Sequence, residues 1–285
     1  MTSTPGRWSR WILAARPRTL PAAIVPVALG AASTHSLHVA RTLLASTVAV
    51  ALQIATNFAN DYSDGVKGTD RDRVGPFRLT ASGLVAPAQV RRVAWGFFGV
   101  AAIVGFALAW STSWWLILIG ATAIAAGWFY TGGPRPYGYY GFGELFVLIY
   151  FGFVATVGTS YVQHGTIPAT SWWLGLTAGS MACALLEANN LRDVDADRAS
   201  GKKTLAARLG RERGSWLYVA CVAGVGVGAG MTVSWGALLA TLYLVPLRRY
   251  VFTERRGREL LPLLQESALL QWSIGAILVI LVTLR

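Results

Sequence analysis

The chain has 285 residues, of which 54% are hydrophobic and only 13% are charged, and its mean hydropathy is +0.48. This composition excludes an ordinary soluble or disordered chain and indicates an integral membrane protein. The net charge of +12 does not indicate nucleic-acid binding, because no soluble segment carries a basic stripe interleaved with aromatic residues.

Apolar stretches near the length needed to cross a bilayer recur between short polar connections. The segment 216–247 would be about 48 Å long as one helix, too long for one span, so we expect it to divide near Ser234. Pro21 and Pro26 interrupt the first stretch. The nine predicted spans are approximately 20–37, 42–59, 93–111, 114–130, 145–162, 172–188, the two halves of 216–247, and 268–284.

The basic residues give an independent test of the topology. With the N-terminus in the cytoplasm, 23 of the 25 Lys and Arg residues fall in predicted cytoplasmic segments, as the positive-inside rule requires. Merging the seventh and eighth spans would put the clusters at Arg213 and Arg248 on opposite faces. We therefore expect one all-α, multi-pass domain over 1–285 in the cell inner (plasma) membrane, with the C-terminus outside and no cleavable signal.

Neither the cysteines nor the histidines predict a metal centre. Cys183 and Cys221 lie in apolar segments, so we expect two buried thiols rather than a disulfide. The histidines have no carboxylate or cysteine at ligand spacing.

All seven aspartates fall in two segments, each of which continues a predicted helix on the cytoplasmic side. This confinement predicts a site at the cytoplasmic mouth of the bundle. The aspartates are Asp61, Asp64, Asp70 and Asp72 in the first segment and Asp193, Asp195 and Asp197 in the second.

The spacing within the first segment predicts a shared helical face. Asn57, Asp61 and Asp64 are separated by four and then three residues, which are neighbouring positions on a helix surface. The second segment gives Asn189, Asn190, Asp193 and Asp197, where four-residue steps (189, 193, 197) again align side chains, whereas Asp195 points away. An Asn precedes an Asp by four residues in both segments, which indicates a weak internal repeat.

Carboxylates crowded on one face repel each other unless a hard cation lies between them. Magnesium fits best, because it binds a few carboxylates together with water and phosphate oxygens, which predicts a diphosphate bridged between the two segments. The alternative is that these charges are only solvated connections. Nearby cations that could neutralise a diphosphate are Lys67, Arg78, Lys202 and Lys203.

Three further features have two readings each. Gln53, on the face of Asn57, and Glu187, one turn before Asn190, could line an acceptor pocket or join helices by hydrogen bonds. The tyrosines of the connection after the fourth span could shield an allylic cation or form an interfacial belt. These tyrosines are Tyr137, Tyr139 and Tyr140.

Five segments together resemble the UbiA superfamily of membrane prenyltransferases, and within it the branch that uses 1,4-dihydroxy-2-naphthoate. They are ARPRTLPAA (15–23), NDYSDGVKGTD (60–70), GPFRLTASGLV (75–85), YTGGPRPYGYYGFGE (130–144) and NNLRDVDADRASGKKTLAARLG (189–210).

The resemblance implies helices around a central cavity that opens laterally to the bilayer, with Mg²⁺ and diphosphate at its cytoplasmic mouth. Phe77, where a basic or polar residue is expected, and the acid Glu187 depart from the pattern. By the resemblance, the first metal site consists of Asp61 and Asp64, assisted by Asn57 and Asn60, and the second consists of Asp193 and Asp197 with Asn190. The cations that bind the diphosphate are Lys67, Arg78 and Lys202. The pocket that holds the acceptor or shields the allylic cation contains Gln53, Tyr139 and Glu187.

The implied reaction transfers a polyprenyl group from polyprenyl diphosphate to 1,4-dihydroxy-2-naphthoate, with loss of CO₂ and diphosphate, giving demethylmenaquinone. Other aromatic acceptors, such as 4-hydroxybenzoate or homogentisate, are alternatives. A CDP-alcohol phosphatidyltransferase shares the opening Asp61, Asp64 and Gly65 pattern but needs further aspartates in the same motif. An ion-coupled transporter would place its acids near mid-membrane.

Overall fold

The computed structural model describes residues 6–69 and 77–285, and within these ranges the regular structure is helical, with no β-strand. The all-α prediction is therefore confirmed. The helices are α1 (Arg7–Ala15), α2 (Pro21–Ala32), α3 (Val39–Lys67), α4 (Pro87–Trp110), α5 (Trp115–Phe129), α6 (Gly143–His164), α7 (Ala169–Ala199), α8 (Leu205–Leu209), α9 (Arg211–Thr232), the irregular α10 (236–251) and α11 (Leu261–Thr283).

Length and composition make this a multi-pass membrane protein. Five of the described helical stretches are long and apolar enough to cross a bilayer, and a sixth is added if the pair Trp8–Thr19 and Pro21–Ala32, bent by 48°, is one span. Each predicted span also coincides with a helix, from α2 to α7 and from α9 to α11, so the expectation of about nine is roughly consistent with the structure. The five stretches are Val39–Lys67, Pro87–Trp110, Gly143–His164, Arg211–Thr232 and Gly257–Thr283.

Glycine and alanine make the break near Ser234 a tight hairpin, as the length argument predicts. α9 ends at Thr232 and the helical structure resumes at Gly236, whose missing side chain lets it pack on the backbone of Ala229. A Cβ on Gly230 would lie 3.2 Å from the Ala237 side chain. Small residues at this interface allow the two helices to approach closely.

Two polar-ended helices position the site. α3 is 29 residues long and ends where Gly68 adopts a left-handed conformation (φ 72°), the usual C-terminal stop. α7 is 31 residues long and holds the second aspartate segment in its last turns. α2, predicted over 20–37, ends earlier, at Ala32, where the Ser33 hydroxyl donates to the Gly30 carbonyl.

α6 packs on α7 through backbone contact. Its stretch Leu148–Val154 is π-helical, and Gly152 within that stretch lies against Gly175 and Gly179 of α7. A Cβ on Gly152 would be 2.7 Å from the Gly175 carbonyl oxygen. This close contact holds the cavity-lining face of α6 against α7.

Candidate active site

The described helices enclose a cavity of about 940 Å³ with one polar end and a long apolar wall. Apolar residues of the six helices α2 to α7 form this wall. The polar end is lined by Arg16, Thr19, Gln53, Asn57, Asn60, Asp64, Arg78, Asn189, Asn190, Asp193, Asp197, Lys202 and Thr204. The two aspartate segments, more than a hundred residues apart in sequence, therefore meet at one cavity.

Asp64 is the aspartate of α3 that faces this cavity. It is 2% exposed. Tyr139 donates its hydroxyl to one carboxylate oxygen at 2.6 Å, and Lys202 Nζ is 3.1 Å from the other. Arg78 Nη2 lies 3.6 Å from the same oxygen. Two cations and a hydroxyl thus surround one buried carboxylate.

Asp61 lies on the same continuous helix as Asn57 and Asp64, at positions that share one side of α3, but its carboxylate has other partners. Its two carboxylate oxygens accept hydrogen bonds from the backbone N–H groups of Leu79 and Thr80 at 2.8 and 2.9 Å. It is not among the residues that line the cavity. The carboxylate fixes the chain after the first motif against α3, and the metal role of Asp61 stays a prediction.

The cavity-facing row of α3 is instead Gln53, Asn57, Asn60 and Asp64, with steps of four, three and four residues. Steps of this kind keep a row on one side of a helix. The hydroxyl of Thr131 donates to Asn60 Oδ1 at 2.8 Å.

The second segment contributes Asp193 and Asp197 from successive turns of α7. Arg192 donates Nε and Nη2 to the two oxygens of Asp193, each at 2.6 Å. Thr204 donates its hydroxyl to Asp197 Oδ2 at 3.2 Å. The side chain of Asp195 is 68% exposed and points away, as predicted.

Tyr139 lies between two lysines. Its ring centroid is 5.0 Å from Lys67 Nζ and 4.9 Å from Lys202 Nζ, and the ring lines the cavity. Lys202 therefore faces both Tyr139 and Asp64.

Lys67 does not line the large cavity, and its ammonium group donates to the carbonyl oxygens of Thr131 and Gly133 at 2.6 and 3.1 Å. Its diphosphate role stays a prediction. Lys203 lies, with Lys67, on a separate cavity of about 340 Å³.

Sequence reasoning missed Arg16 and Thr19, which line the polar end. Thr19 accepts hydrogen bonds from the amides of Gln53 and Asn57, both at 3.0 Å, so it orients two predicted site residues. Arg16 has φ 55°, the left-handed region that a non-glycine residue rarely occupies. The segment ARPRTLPAA was the available signal, although helical periodicity gave it no role.

Glu187 also lies elsewhere than the acceptor pocket predicted for it. It is completely buried and does not line the cavity, and a Cβ on Gly214 of α9 would be 3.2 Å from its Oε1. Glu144, which sequence reasoning missed, accepts a hydrogen bond from Asn190 Nδ2 at 2.8 Å. This hydrogen bond fixes the orientation of the Asn190 amide.

The remaining tyrosines of the connection have structural contacts. Tyr137 stacks on Phe146 with ring centroids 4.0 Å apart and donates its hydroxyl to the Ala126 carbonyl. Burial raises the pKa of Tyr137 above its ordinary value, so its hydroxyl stays protonated. Tyr140 is 44% exposed.

The oxygen ligands at the polar end fit a metal ion that binds together with a phosphate group. They do not form a complete metal site from protein side chains alone. Among the described residues no group of three or more His, Cys, Asp or Glu side chains could hold an ion by itself. Magnesium, however, usually takes one or two carboxylates and completes its shell with phosphate oxygens and water. Asp64, Asp193 and Asp197 offer such carboxylates around one space. Asp70 and Asp72 lie outside the described residues.

Comparison with known proteins places the chain among prenyltransferases. The model of the UbiA prenyltransferase family matches residues 19–279. The chain is 44% identical to a 1,4-dihydroxy-2-naphthoate octaprenyltransferase of Mycobacterium tuberculosis, over 94% of this chain and 95% of that protein. It is 35% identical to the protein of that name from Escherichia coli, over 92% and 91% of the two chains.

A solved structure with the same fold supports the architecture. The structure of a UbiA homolog from Archaeoglobus fulgidus bound to DMAPP and Mg²⁺ superposes with a TM-score of 0.62 at 16% identity. The match covers 95% of this chain and 99% of that one.

Proposed function

The chain belongs to the UbiA prenyltransferase family, and on this basis we propose that it transfers a polyprenyl group from polyprenyl diphosphate to 1,4-dihydroxy-2-naphthoate. One observation carries the proposal. Asp64 of α3 and Asp193 and Asp197 of α7 line the polar end of a cavity whose other walls are apolar. Such a cavity can hold a charged diphosphate and a hydrocarbon tail at the same time.

The cations at the polar end are placed to stabilise the leaving group. Lys202 and Arg78 lie beside Asp64 and face the cavity, where charge-assisted hydrogen bonds to diphosphate oxygens would strengthen as the allylic carbon–oxygen bond breaks. We infer that Asp64, Asp193 and Asp197, with Asn60 and Asn190, hold Mg²⁺ when the donor binds. The ion would neutralise part of the diphosphate charge.

The ring carbon of the electron-rich naphthalenediol then forms the new bond to the allylic carbon. The carboxylate leaves as CO₂, so the net exchange neither consumes nor releases a proton, and the product is the quinol form of demethylmenaquinone. Tyr139 and Tyr130 form part of the cavity wall, where aromatic faces can stabilise a developing allylic cation and exclude water.

We further propose that the acceptor binds on the α1–α2 side of the polar end. Gln53 and Arg16 line this side, and an amide and a guanidinium suit the hydroxyl and carboxylate groups of the acceptor. We also propose that the whole chain forms one domain, in the inner membrane, with the site facing the cytoplasm, where a basic face attracts an acidic acceptor.

The test offers purified protein radiolabelled polyprenyl diphosphate with 1,4-dihydroxy-2-naphthoate, 4-hydroxybenzoate or homogentisate, with Mg²⁺ or with EDTA. We expect labelled prenylated naphthalenediol in the lipid extract, lost with EDTA and in Asp193→Asn. Asp195→Asn, two residues along α7 with an exposed side chain, is the control and keeps activity. Transfer only to 4-hydroxybenzoate or homogentisate would mean that the acceptor is that compound and not 1,4-dihydroxy-2-naphthoate. No transfer to any acceptor would overturn the proposal.

A further inference from the structure

Three glycines on three different helices face the cavity without filling it. Gly105 of α4, Gly120 of α5 and Gly158 of α6 all line the cavity. Beyond each glycine's own helix, no atom lies within 4 Å of a Cβ built on Gly120 or Gly158, and only Val48 Cγ2, at 3.8 Å, approaches a Cβ on Gly105. These three residues are called the glycine ring below.

The ring lies at one depth, far from the aspartates. Gly105 is opposite Val48, which precedes Asp64 by 16 residues of α3, or roughly 24 Å at 1.5 Å per residue. Gly158 is one turn before Val162, which shares a buried cluster with Ala45 near the far end of α3. At this level, therefore, two helices each present a residue without a side chain to the cavity.

The position of Gly120 follows from Gly127 on the same helix. Gly127 packs against Thr56 and Phe98, and a Cβ there would be 2.6 Å from Thr56 Oγ1. Thr56 is eight residues from Asp64, and Gly120 is seven residues further from the polar end than Gly127, which together place Gly120 roughly 22 Å from Asp64. Gly127 is needed for packing, whereas Gly120 leaves space.

The cavity at this level also approaches the bilayer. Among the described residues, α5 makes its main helix contacts with α3 and α4 rather than with α6. Ile117 and Ile119 of α5 line the cavity while remaining 43% and 39% exposed. A long tail can thus extend along the apolar wall and leave between α5 and α6.

We propose that the glycine ring lets the enzyme accept long prenyl tails, because it is the place where the tail passes and where side chains are absent. This rests on the proposed function. The first few isoprene units lie between the aspartates and the ring, so only longer donors reach it. A side chain on the ring would therefore exclude long donors while the diphosphate end remains unaltered.

The experiment compares kcat/KM for geranyl, farnesyl, geranylgeranyl and longer polyprenyl diphosphates in the series Gly158→Ala, Gly158→Val and Gly158→Leu, and in Gly120→Leu. We expect the ratio of long-donor to geranyl kcat/KM to fall progressively with side-chain size, by roughly tenfold or more for Leu. Gly96→Leu is the control, since Gly96 is on α4, has open space and does not line the cavity. It keeps the wild-type ratio.

The outcomes separate the two proposals. Wild-type protein that transfers no prenyl group to any acceptor contradicts the proposed function. Wild-type transfer with an unchanged long-to-short ratio in Gly158→Val and Gly120→Leu overturns the role of the ring. If a Leu variant does not fold, Gly158→Ala and Gly158→Val, judged by the same ratio, decide the question.

Discussion

At the scale of single residues, the two carboxylate oxygens of Asp61 each accept a hydrogen bond from a backbone N–H group. An amide has only one oxygen and cannot accept at both positions. In Asp61→Asn one oxygen becomes an NH₂ group that faces the N–H of Leu79 or Thr80. We expect a loss of about 1–3 kcal/mol in the free energy of unfolding, measured by thermal denaturation in detergent. Asp64→Asn keeps an acceptor for the Tyr139 hydroxyl but removes a charge partner of Lys202 and Arg78, so we expect loss of transfer together with a loss of stability of its own. An Asp61→Asn protein with wild-type stability and no activity would instead make Asp61 a ligand.

The composition of the polar end could be predicted from sequence because its aspartates are confined to two segments. Individual orientations could not. Asp61 is only one residue from the cavity-facing Asn60, and spacing alone does not say which side of α3 meets the cavity and which meets Leu79. Arg16 lines the site and itself has a left-handed backbone conformation, which helical periodicity does not predict.

At the scale of elements, the contact between α6 and α7 depends on a glycine. A Cβ on Gly152 would lie 2.8 Å from Gly179 Cα, so Gly152→Ala must push the helices apart. We expect it to lower stability by about 1–3 kcal/mol. Gly158→Ala, on the same helix but beside open space, should be neutral or stabilising by about 0.5–1 kcal/mol. Equal melting temperatures for the two variants would contradict the close packing.

Hydrophobic length predicted where the helices lie, and the division of 216–247 followed from the thickness of a bilayer. The irregularities did not follow from it. The π-helical stretch in α6 and the 3₁₀ start of α10, Gly236–Tyr243, depend on which backbone each helix meets. Apolar composition is nearly uniform along these segments and does not record such contacts.

At the scale of the whole molecule, the distribution of basic residues predicts which connections face the cytoplasm. Leu37, before α3, is 58% exposed and is predicted outside, whereas Ala88, at the start of α4, is exposed and predicted inside. A membrane-impermeant maleimide should label Leu37→Cys on intact cells and Ala88→Cys only after permeabilisation. Cys183 and Cys221 are buried and give little background. The reverse labelling would invert the topology.

The central claim is that aspartates of α3 and α7 act on one donor diphosphate. Its most direct test is the Mg²⁺-dependent Kd for polyprenyl diphosphate, measured calorimetrically without acceptor, in wild type, Asp64→Asn, Asp193→Asn, the double variant and the Asp195→Asn control. A shared ligand predicts that each single variant binds at least about tenfold more weakly and that the double variant loses little more, a non-additive result. Fully additive losses, or singles that bind the donor as wild type does, would contradict it.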